Sequence, residues 1–494
     1  MSQPPCCFSL MASLHFCKNF VGIVHFTTSY LRVLMSLMVS ISGIRGIVGE
    51  SLTPEVALKY AAAYGRYCKR QTKNATVMLG RDGRITGKII ANIVSSTLLS
   101  TGVNVRAIGI CPTPTVALAV EHSNAIGGIS ITASHNPIEW NGLKFFAETG
   151  MFLDADQNKE LWSIADDGKA DYTSWQCIGN HAQEEFWIRK HIDAVLSLKY
   201  IDLSVTRKRR FRVVLDCVNA AGGVIVPTLL KEMGCEVIEM NCDVSGVFAH
   251  TPEPIPENLT DLALRVKAEK ADMGVAVDPD VDRLVLISEN GEPYGEEYTI
   301  ATVVKFVLEK EKKLGHTHTQ SVVVNLSTTR AVDDIASAFG AKCYRTPVGE
   351  VNVAKKMKQL GAVIGGEGSG GVILPALHLG RDAIVGIGLI LQMLAESGGK
   401  LSELKASLPQ YSIAKGKIEL GSASPDAILK EIGTSRNGTG RINTDDGLKV
   451  DFADHWVHLR KSNTEPIVRV IAEAKTMEQA VEVVESFKRE ISSF

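Results

Sequence analysis

Three stretches of the chain repeat one pattern of apolar and polar positions. Each opens with a short run of β-branched and apolar residues, at Thr76–Leu79, Val213–Leu215 and Val322–Val324, fit for buried strands. A helix-like stretch follows, stops at a glycine and runs into a second strand: LLSTGVNVRAIG (98–109), LLKEMGCEVIEM (229–240) and IASAFGAKCYRT (335–346). Glycine there suits a helix end, where a left-handed residue is needed. A third apolar strand then leads into a polar, glycine-containing or acidic cluster, in GGISITASHN (127–136), MGVAVDPD (273–280) and AVIGGEGS (362–369). Ligands of open α/β sheets bind beyond the carboxyl ends of strands, so the three clusters are expected to face one cleft.

From about residue 410 the pattern changes. HWVHLR (455–460) and IVRVIAEA (467–474) alternate as strands, and MEQAVEVVESFKREI (477–491) carries its apolar residues on one helical stripe. The chain therefore reads as α/β: three similar mixed-sheet α/β domains in tandem, at 38–198, 205–295 and 296–405, plus a smaller α+β domain at 410–494, around a central cleft. Linkers are expected near Leu198–Arg210, where the basic run RKRR (207–210) reads as solvated, and near Gly398–Pro409.

Residues 1–37 differ from the rest. Between Phe20 and Leu37, His25, Thr27, Thr28, Ser29 and Arg32 interrupt an apolar stretch, leaving no span long enough to cross a membrane. No basic start or cleavage site marks a signal peptide. This segment reads as an extension outside the fold, with Met1, Met35 and Met38 as alternative starts.

Composition narrows the function. Of 494 residues, 45% are apolar and 22% charged, the ordinary globular mixture. Lys and Arg total 53 against 55 Asp and Glu, a net charge of −2, which leaves no excess to neutralise a nucleic-acid backbone. Ten scattered cysteines form no C-x-x-C pair, pointing to a reducing, cytoplasmic setting with neither nucleic acid nor membrane as partner.

The sharpest chemical signal is DPDVDR (278–283). In an extended segment Asp278, Asp280 and Asp282 present three carboxylates to one side and invite a hard divalent cation, Mg²⁺ above all beside phosphate. Arg283 stands where an EF-hand loop needs glycine, which excludes that reading; an aspartyl-nucleophile phosphatase stays as a rival. TASHNP (132–137) places Ser134 and His135 at another strand end. Adjacent strand side chains point apart, so the pair is not expected to work as nucleophile and base. A serine that carries a phosphoryl group needs no such base when metal and cations assist, and Arg45 and Lys144 are candidate partners. GGEGSGG (365–371) imitates a dinucleotide fingerprint, but VILP (372–375) reads as strand; what remains is a loop with Glu367 and Ser369, suited to sugar hydroxyls. GRDGRITGK (80–88) fails the phosphate-loop pattern at Ile89. In RKSNTEPIVR (460–469), Arg460, Ser462, Asn463, Thr464 and Arg469 are donors able to clamp a phosphate.

In the order SGIRG (42–46), TASHNP with NGLK (141–144), PIPENL (254–259), DPDVDR, TPVGE (346–350), GEGSG (366–370) and RKSNTEP (460–466), these motifs resemble the α-D-phosphohexomutase family from Ile41 to the C-terminus. The family comprises phosphoglucomutases, phosphomannomutases and phosphoglucosamine mutases, and the resemblance is strongest to the archaeal-type phosphoglucosamine mutase branch. It implies a phosphoserine at Ser134, with Mg²⁺ between its phosphate and Asp278, Asp280 and Asp282. It further implies Arg45, His135 and Lys144 around the transferring group and Glu367 and Ser369 on the sugar. Arg283 joins the substrate-binding set, and Arg460, Ser462, Asn463, Thr464 and Arg469 grip the distal phosphate. A hexose 1,6-bisphosphate is implied as activator, and a small sugar phosphate as substrate. Gly371 stands where many relatives carry histidine, and G-R-D (380–382) where many carry G-D-G; His378 lies nearby. The expected activity is interconversion of hexosamine or hexose 6- and 1-phosphates, glucosamine first, with mannose and glucose as alternatives. A phosphatase acting through Asp278, or a sugar-phosphate-binding protein, stands behind it.

Overall fold

The structure, a computed structural model, describes residues 37–316, 319–419, 424–436, 438–461 and 467–492. Its strands form four sheets. The first holds β1 (Met38–Ser40), β2 (Gly43–Ile47), β3 (Thr76–Arg81), β4 (Asn104–Ile110), β5 (Gly127–Ile131), β6 (Trp140–Ala147) and β7 (His181–Gln183), in the order β1-β2-β6-β5-β3-β4-β7. The second holds β8 (Arg212–Asp216), β9 (Glu236–Met240), β10 (Met273–Val277) and β11 (Leu284–Ser288), in the order β11-β10-β8-β9. The third holds β12 (Ser321–Asn325), β13 (Lys342–Thr346), β14 (Ile364–Glu367) and β15 (Gly371–Ile373), in the order β13-β12-β14-β15.

One four-stranded motif underlies all three: two parallel strands, a third parallel strand beside the first, and an antiparallel strand beside the third. The repeated sequence pattern is thus a repeated topology, with β1, β2 and β7 added to the first copy. The glycines that end the repeated helical stretches, Gly102, Gly234 and Gly340, have φ of 82°, 87° and 68°, the left-handed conformation that favours glycine. Every residue of β5, β10 and β11 is buried, as strands covered on both faces require.

The helix Ala383–Ser397 is buried along residues 383–394 and packs against the helices Trp187–Leu196, Leu203–Arg209 and Glu296–Lys313. A helix apolar all round belongs in a core. One continuous core accordingly runs from Met78 and Val116 through Val213 and Leu215 to Val322 and Leu389. The fourth sheet, β16 (Ser412–Glu419), β17 (Arg441–Asn443), β18 (Leu448–Asp451), β19 (Trp456–Lys461) and β20 (Ile467–Ala474), is antiparallel in the order β16-β20-β19-β18-β17 and has its own core under two helices.

Both stretches read as linkers contain helix. Leu203–Arg209 is capped by the Asp202 side chain; the basic run 207–210 is exposed as expected, and Arg207 donates to Glu232 O at 2.8 Å at the surface. Leu401–Ala406 forms because Leu401 and Leu404 are buried. The extension lies outside the described residues except for Leu37. Among the described residues no helix is long and apolar enough to cross a membrane.

Candidate active site

Each repeated cluster is the loop between the third strand of its copy and the antiparallel strand that follows: 132–139, 278–283 and 368–370. In the first, Ser134 is 1% exposed with φ of 51°, a left-handed conformation uncommon for serine. Its N–H donates to Thr132 Oγ1 at 2.8 Å, and the Thr132 hydroxyl donates to Asp82 at 2.7 Å. Ser134 Oγ donates to Asp278 Oδ2 at 3.0 Å and lies 3.2 Å from His135 Nδ1. The adjacent side chains do meet, contrary to the strand-based expectation, because residues 134–135 form a turn. Burial, then Arg283 and Arg45, push the His135 imidazole down to about 3, so it is neutral at physiological pH.

Arg84, in the segment read only as a failed phosphate loop, fixes this turn. Its fully buried guanidinium donates to Asp82 and to the carbonyls of Ser134, Asn136, Pro137 and Trp140, which uses all five N–H donors. Replacing Arg84 by methionine is expected to cost about 3–5 kcal/mol in urea unfolding, because Asp82 is left as an uncompensated buried charge. A loss below ~1 kcal/mol, the range of exposed pairs, would show that the network is not holding the loop.

The second loop is a turn, not an extended segment. Asp278 Oδ1 accepts from the N–H groups of Asp282 and Arg283 at 3.1 and 3.2 Å, and Val281 is forced to φ of 63°, strain that a β-branched residue rarely bears. The three carboxylates converge through this turn, with ligand atoms within 4.8 Å of one another. Lys144 Nζ donates to Asp280 at 2.7 Å and Asp282 at 3.3 Å, and Thr113 Oγ1 to Asp280 at 2.7 Å. Burial, then Asp282 and Asp280, push the Asp278 carboxyl well above the carboxylate range. Burial acts the same way on Asp280 and Asp282, but Lys144 at the first, and Arg381 and Lys144 at the second, outweigh it and hold both below that range. Asp280 Oδ1 and Asp282 Oδ1 are buried without a hydrogen-bond partner. Hard oxygen donors with two orphaned oxygens fit a Mg²⁺ ion.

At the end of β14, just before the third loop, Glu367 Oε1 accepts from Asn325 Nδ2 and Gly349 N, both at 2.9 Å, and Oε2 accepts from Arg381 at 2.7 Å. Arg283 of the second loop and Gly368 and Ser369 of the third border a cavity of about 330 Å³ whose wall also includes Arg45, Lys144, Glu367 and Arg460; Ser134, His135 and the three aspartates are not on that wall. Arg381 and Lys415 complete six cationic side chains on the wall, against the carboxylates of Glu297, Glu350 and Glu367. Burial pushes Glu350 up to about 7 and Glu297 up to about 8.

On the fourth sheet, Arg460 pairs with Asp446 at 2.9 Å, and Asp446 also accepts from Val348 N at 2.9 Å across the cavity rim. Arg469 lies opposite Arg460 on one side and Lys417 on the other, so the register places three cations in a row across β19, β20 and β16. Like charges directly opposite are unfavourable without an anion between them. Lys417 has no place in the sequence motifs; only pairing register reveals it. Ser462, Asn463 and Thr464 lie outside the described residues. His378 does not reach the cavity wall: it is buried, its Nε2 3.1 Å from Asp382, which His191 also meets at 2.8 Å.

A three-copy α/β body with a fourth lobe, a buried serine beside three aspartates and a cation-lined cavity together define a protein built to handle phosphate esters. The chain belongs to the phosphoglucomutase/phosphomannomutase family of phosphohexomutases, which are isomerases: residues 37–171, 189–291 and 296–411 match its alpha/beta/alpha domains I, II and III, and 416–490 its C-terminal domain. It is 40% identical over 448 residues to a phosphoglucomutase/phosphomannomutase of Thermococcus kodakarensis, covering 90% of this chain and 96% of that one. It is 36% identical over 448 residues to a probable phosphoglucosamine mutase of Methanopyrus kandleri, with the same coverage of 90% and 96%. Among solved structures, a family protein from Burkholderia thailandensis superposes with a TM-score of 0.80 at 26% identity, covering 92% of this chain and 98% of the other. An Aspergillus fumigatus N-acetylphosphoglucosamine mutase, solved with GlcNAc-6P and magnesium, shares the fold at a TM-score of 0.57 and 14% identity, covering 95% and 98%.

Proposed function

We propose that the protein is a Mg²⁺-dependent phosphoserine mutase moving a phosphoryl group between C6 and C1 of a hexosamine or hexose phosphate, with glucosamine phosphate the preferred substrate. The observation that carries this reading is the 3.0 Å contact between Ser134 Oγ and Asp278, beside two orphaned carboxylate oxygens and a cavity walled by six cations. The names of the archaeal relatives support glucosamine phosphate, with the Thermococcus protein supporting glucose and mannose phosphates as alternatives.

In this mechanism Ser134 carries the phosphoryl group. Asp278, Asp280 and Asp282 would hold Mg²⁺, which supplies Lewis-acid neutralisation of the charge that develops on the transferring group. Glu367 and Ser369 take the sugar hydroxyls, while Arg460 on the wall, with the exposed Arg469 and Lys417 beside it in strand register, holds the distal phosphate. The bond from phosphorus to Ser134 Oγ breaks as a bond to the sugar hydroxyl forms. The hydroxyl proton passes to a wall carboxylate, Glu350 being poised near neutrality for it. The resulting hexose 1,6-bisphosphate turns over and returns its other phosphoryl group to Ser134, so added bisphosphate also activates enzyme that has lost its phosphate. Arg45 and Lys144 offset charge throughout, and His135, neutral at the working pH, orients the serine.

Phosphorus NMR tests this directly. Purified protein with Mg²⁺ and a trace of hexose 1,6-bisphosphate receives glucosamine 1-phosphate, mannose 1-phosphate and glucose 1-phosphate in competition. Growth of 6-phosphate signals, glucosamine fastest, is expected; release of inorganic phosphate, or no change, would overturn the mutase reading.

A further inference from the structure

Gly371 and Arg381, ten residues apart in sequence, compete for the same space. A Cβ built on Gly371 would stand 2.3 Å from Arg381 Cδ, closer than real Cβ atoms approach, and a tight 3.0 Å from its Cγ. Gly371 has no left-handed backbone to explain its glycine; what requires it is the arginine. The guanidinium beyond that contact donates to Asp282 Oδ2 at 2.6 Å, Glu367 Oε2 at 2.7 Å and Glu350 Oε2 at 3.1 Å. It therefore ties the acidic turn after β10 to the end of β14 and to the helix Glu350–Leu360.

We propose that Arg381, admitted by the missing side chain at Gly371, is a positioning residue that holds Asp282, Glu350 and Glu367 in one array across the cavity. The inference rests on the mutase reading above, and assigns a role in it to a residue that the sequence reading left without one.

The backbone around Arg381 is built for this. Arg381 N–H donates to Glu350 Oε1 at 3.0 Å, Asp382 N–H to Val372 O at 2.8 Å, and Ala383 N–H to Val281 O at 3.1 Å. The last bond lands on the residue between Asp280 and Asp282, so Arg381 is held by the same turn whose carboxylate it grips. Asp382 caps the helix that follows, accepting from Ile384 and Val385 N–H, and is itself gripped by the buried His191 and His378. The two histidines thus serve the placement of Arg381. The planar fork meets the three carboxylates through three separate nitrogens, Nε to Glu350, Nη1 to Glu367 and Nη2 to Asp282, whereas a lysine brings one nitrogen on a flexible stem. Freed of the fork, Glu367 would lose its partner at Oε2 and the sugar its fixed orientation, and misplacement near 1 Å costs ~10²-fold in rate.

The same geometry separates positioning from mere structural support. Arg381 is a cation resting on Asp282, so it competes with any divalent ion there. Arg381→Ala is expected to lower kcat ~10²-fold while tightening Mg²⁺ binding, read by calorimetry in the absence of substrate, by ~10-fold. Arg381→Lys keeps the charge but not the fork, and is expected to keep wild-type Mg²⁺ affinity with kcat reduced ~10-fold or more. Gly371→Ala, which displaces the arginine, is expected to cost ~10-fold in the wild-type background and less than ~2-fold when combined with Arg381→Ala.

Opposite movement of kcat and Mg²⁺ affinity in Arg381→Ala, with non-additive loss in the double variant, supports the proposal. Wild-type kcat in Arg381→Ala, additive losses, weaker Mg²⁺ binding, or failure of both Arg381 variants to fold by thermal melt would overturn it. Wild-type protein inactive on all the sugar phosphates fails the mutase reading itself, a different outcome from an active wild type with an indifferent Arg381.

Discussion

Ser134→Ala is expected to lower turnover of hexose phosphates by at least ~10⁴-fold, the scale at which removal of a nucleophile acts, while leaving the fold within ~1 kcal/mol of wild type. The backbone at 134 already bears its left-handed strain, with φ of 51°, and alanine inherits that conformation without adding bulk. The loop is held from outside by Arg84 and Thr132, neither of which bonds the hydroxyl itself. What alanine removes is the oxygen that donates to Asp278 and would carry the phosphoryl group. Intact-mass measurement after incubation with hexose 1,6-bisphosphate should show one added phosphoryl group on wild type and none on the variant. Substantial turnover in Ser134→Ala would eliminate the phosphoserine cycle. Phosphate release that survives in it would point instead to Asp278 as nucleophile.

The alternation of strands and glycine-ended helices is legible in the sequence because the first and third strands of each copy are buried almost throughout and each repeated helical stretch stops at a left-handed glycine. Those requirements act on local composition, so three copies can be counted from the chain alone. The acidic turn is legible as a carboxylate cluster, but the way its carboxylates converge is not. Val281 sits at φ of 63°, a conformation no propensity assigns to valine, and the turn rather than strand alternation brings the oxygens together. The same blindness hides the Ser134–His135 contact, since the left-handed serine turns the two side chains toward one another.

Arg84 and Arg381 escape for another reason. Arg84 spends its donors on Asp82 and on carbonyls some 50 residues away, and backbone carbonyls leave no residue type to recognise. Gly371 and Arg381 register in sequence as two separate oddities; only the 2.3 Å approach makes them one feature. Lys417 joins Arg460 and Arg469 through strand register, a relation that sequence spacing does not carry across β16, β20 and β19. The helices at Leu203–Arg209 and Leu401–Ala406 are short, charged and helical through tertiary contacts, so the pattern alone reads them as linkers.

Removing divalent cations should stop turnover, and the acidic turn shows what else should happen. Chelation is expected to lower the rate ~10³-fold, the several kcal/mol of charge stabilisation a bound cation supplies, with Mg²⁺ restoring it. Without a cation Asp278 is pushed well above the carboxylate range by burial and by its two acidic neighbours. An acid whose pKa is raised on folding makes the fold lose stability as pH climbs from its unfolded value, near ~3.9, through the raised value. Metal-free wild type therefore carries a destabilising contribution from Asp278 that grows from about pH 4 upward, and Asp278→Asn deletes it. In chelator at pH 8, Asp278→Asn is expected to melt above wild type; in saturating Mg²⁺ the order should reverse, since a ligand at 100 times its Kd stabilises by about 2.7 kcal/mol. Turnover should fall in the variant under both conditions. The aspartate would then weaken the empty fold and serve only the loaded site, as expected of a residue kept for chemistry. Equal melting of the two proteins in chelator across pH 5–8 would show that the three carboxylates do not repel in the metal-free state, and would remove the electrostatic case for a cation between them.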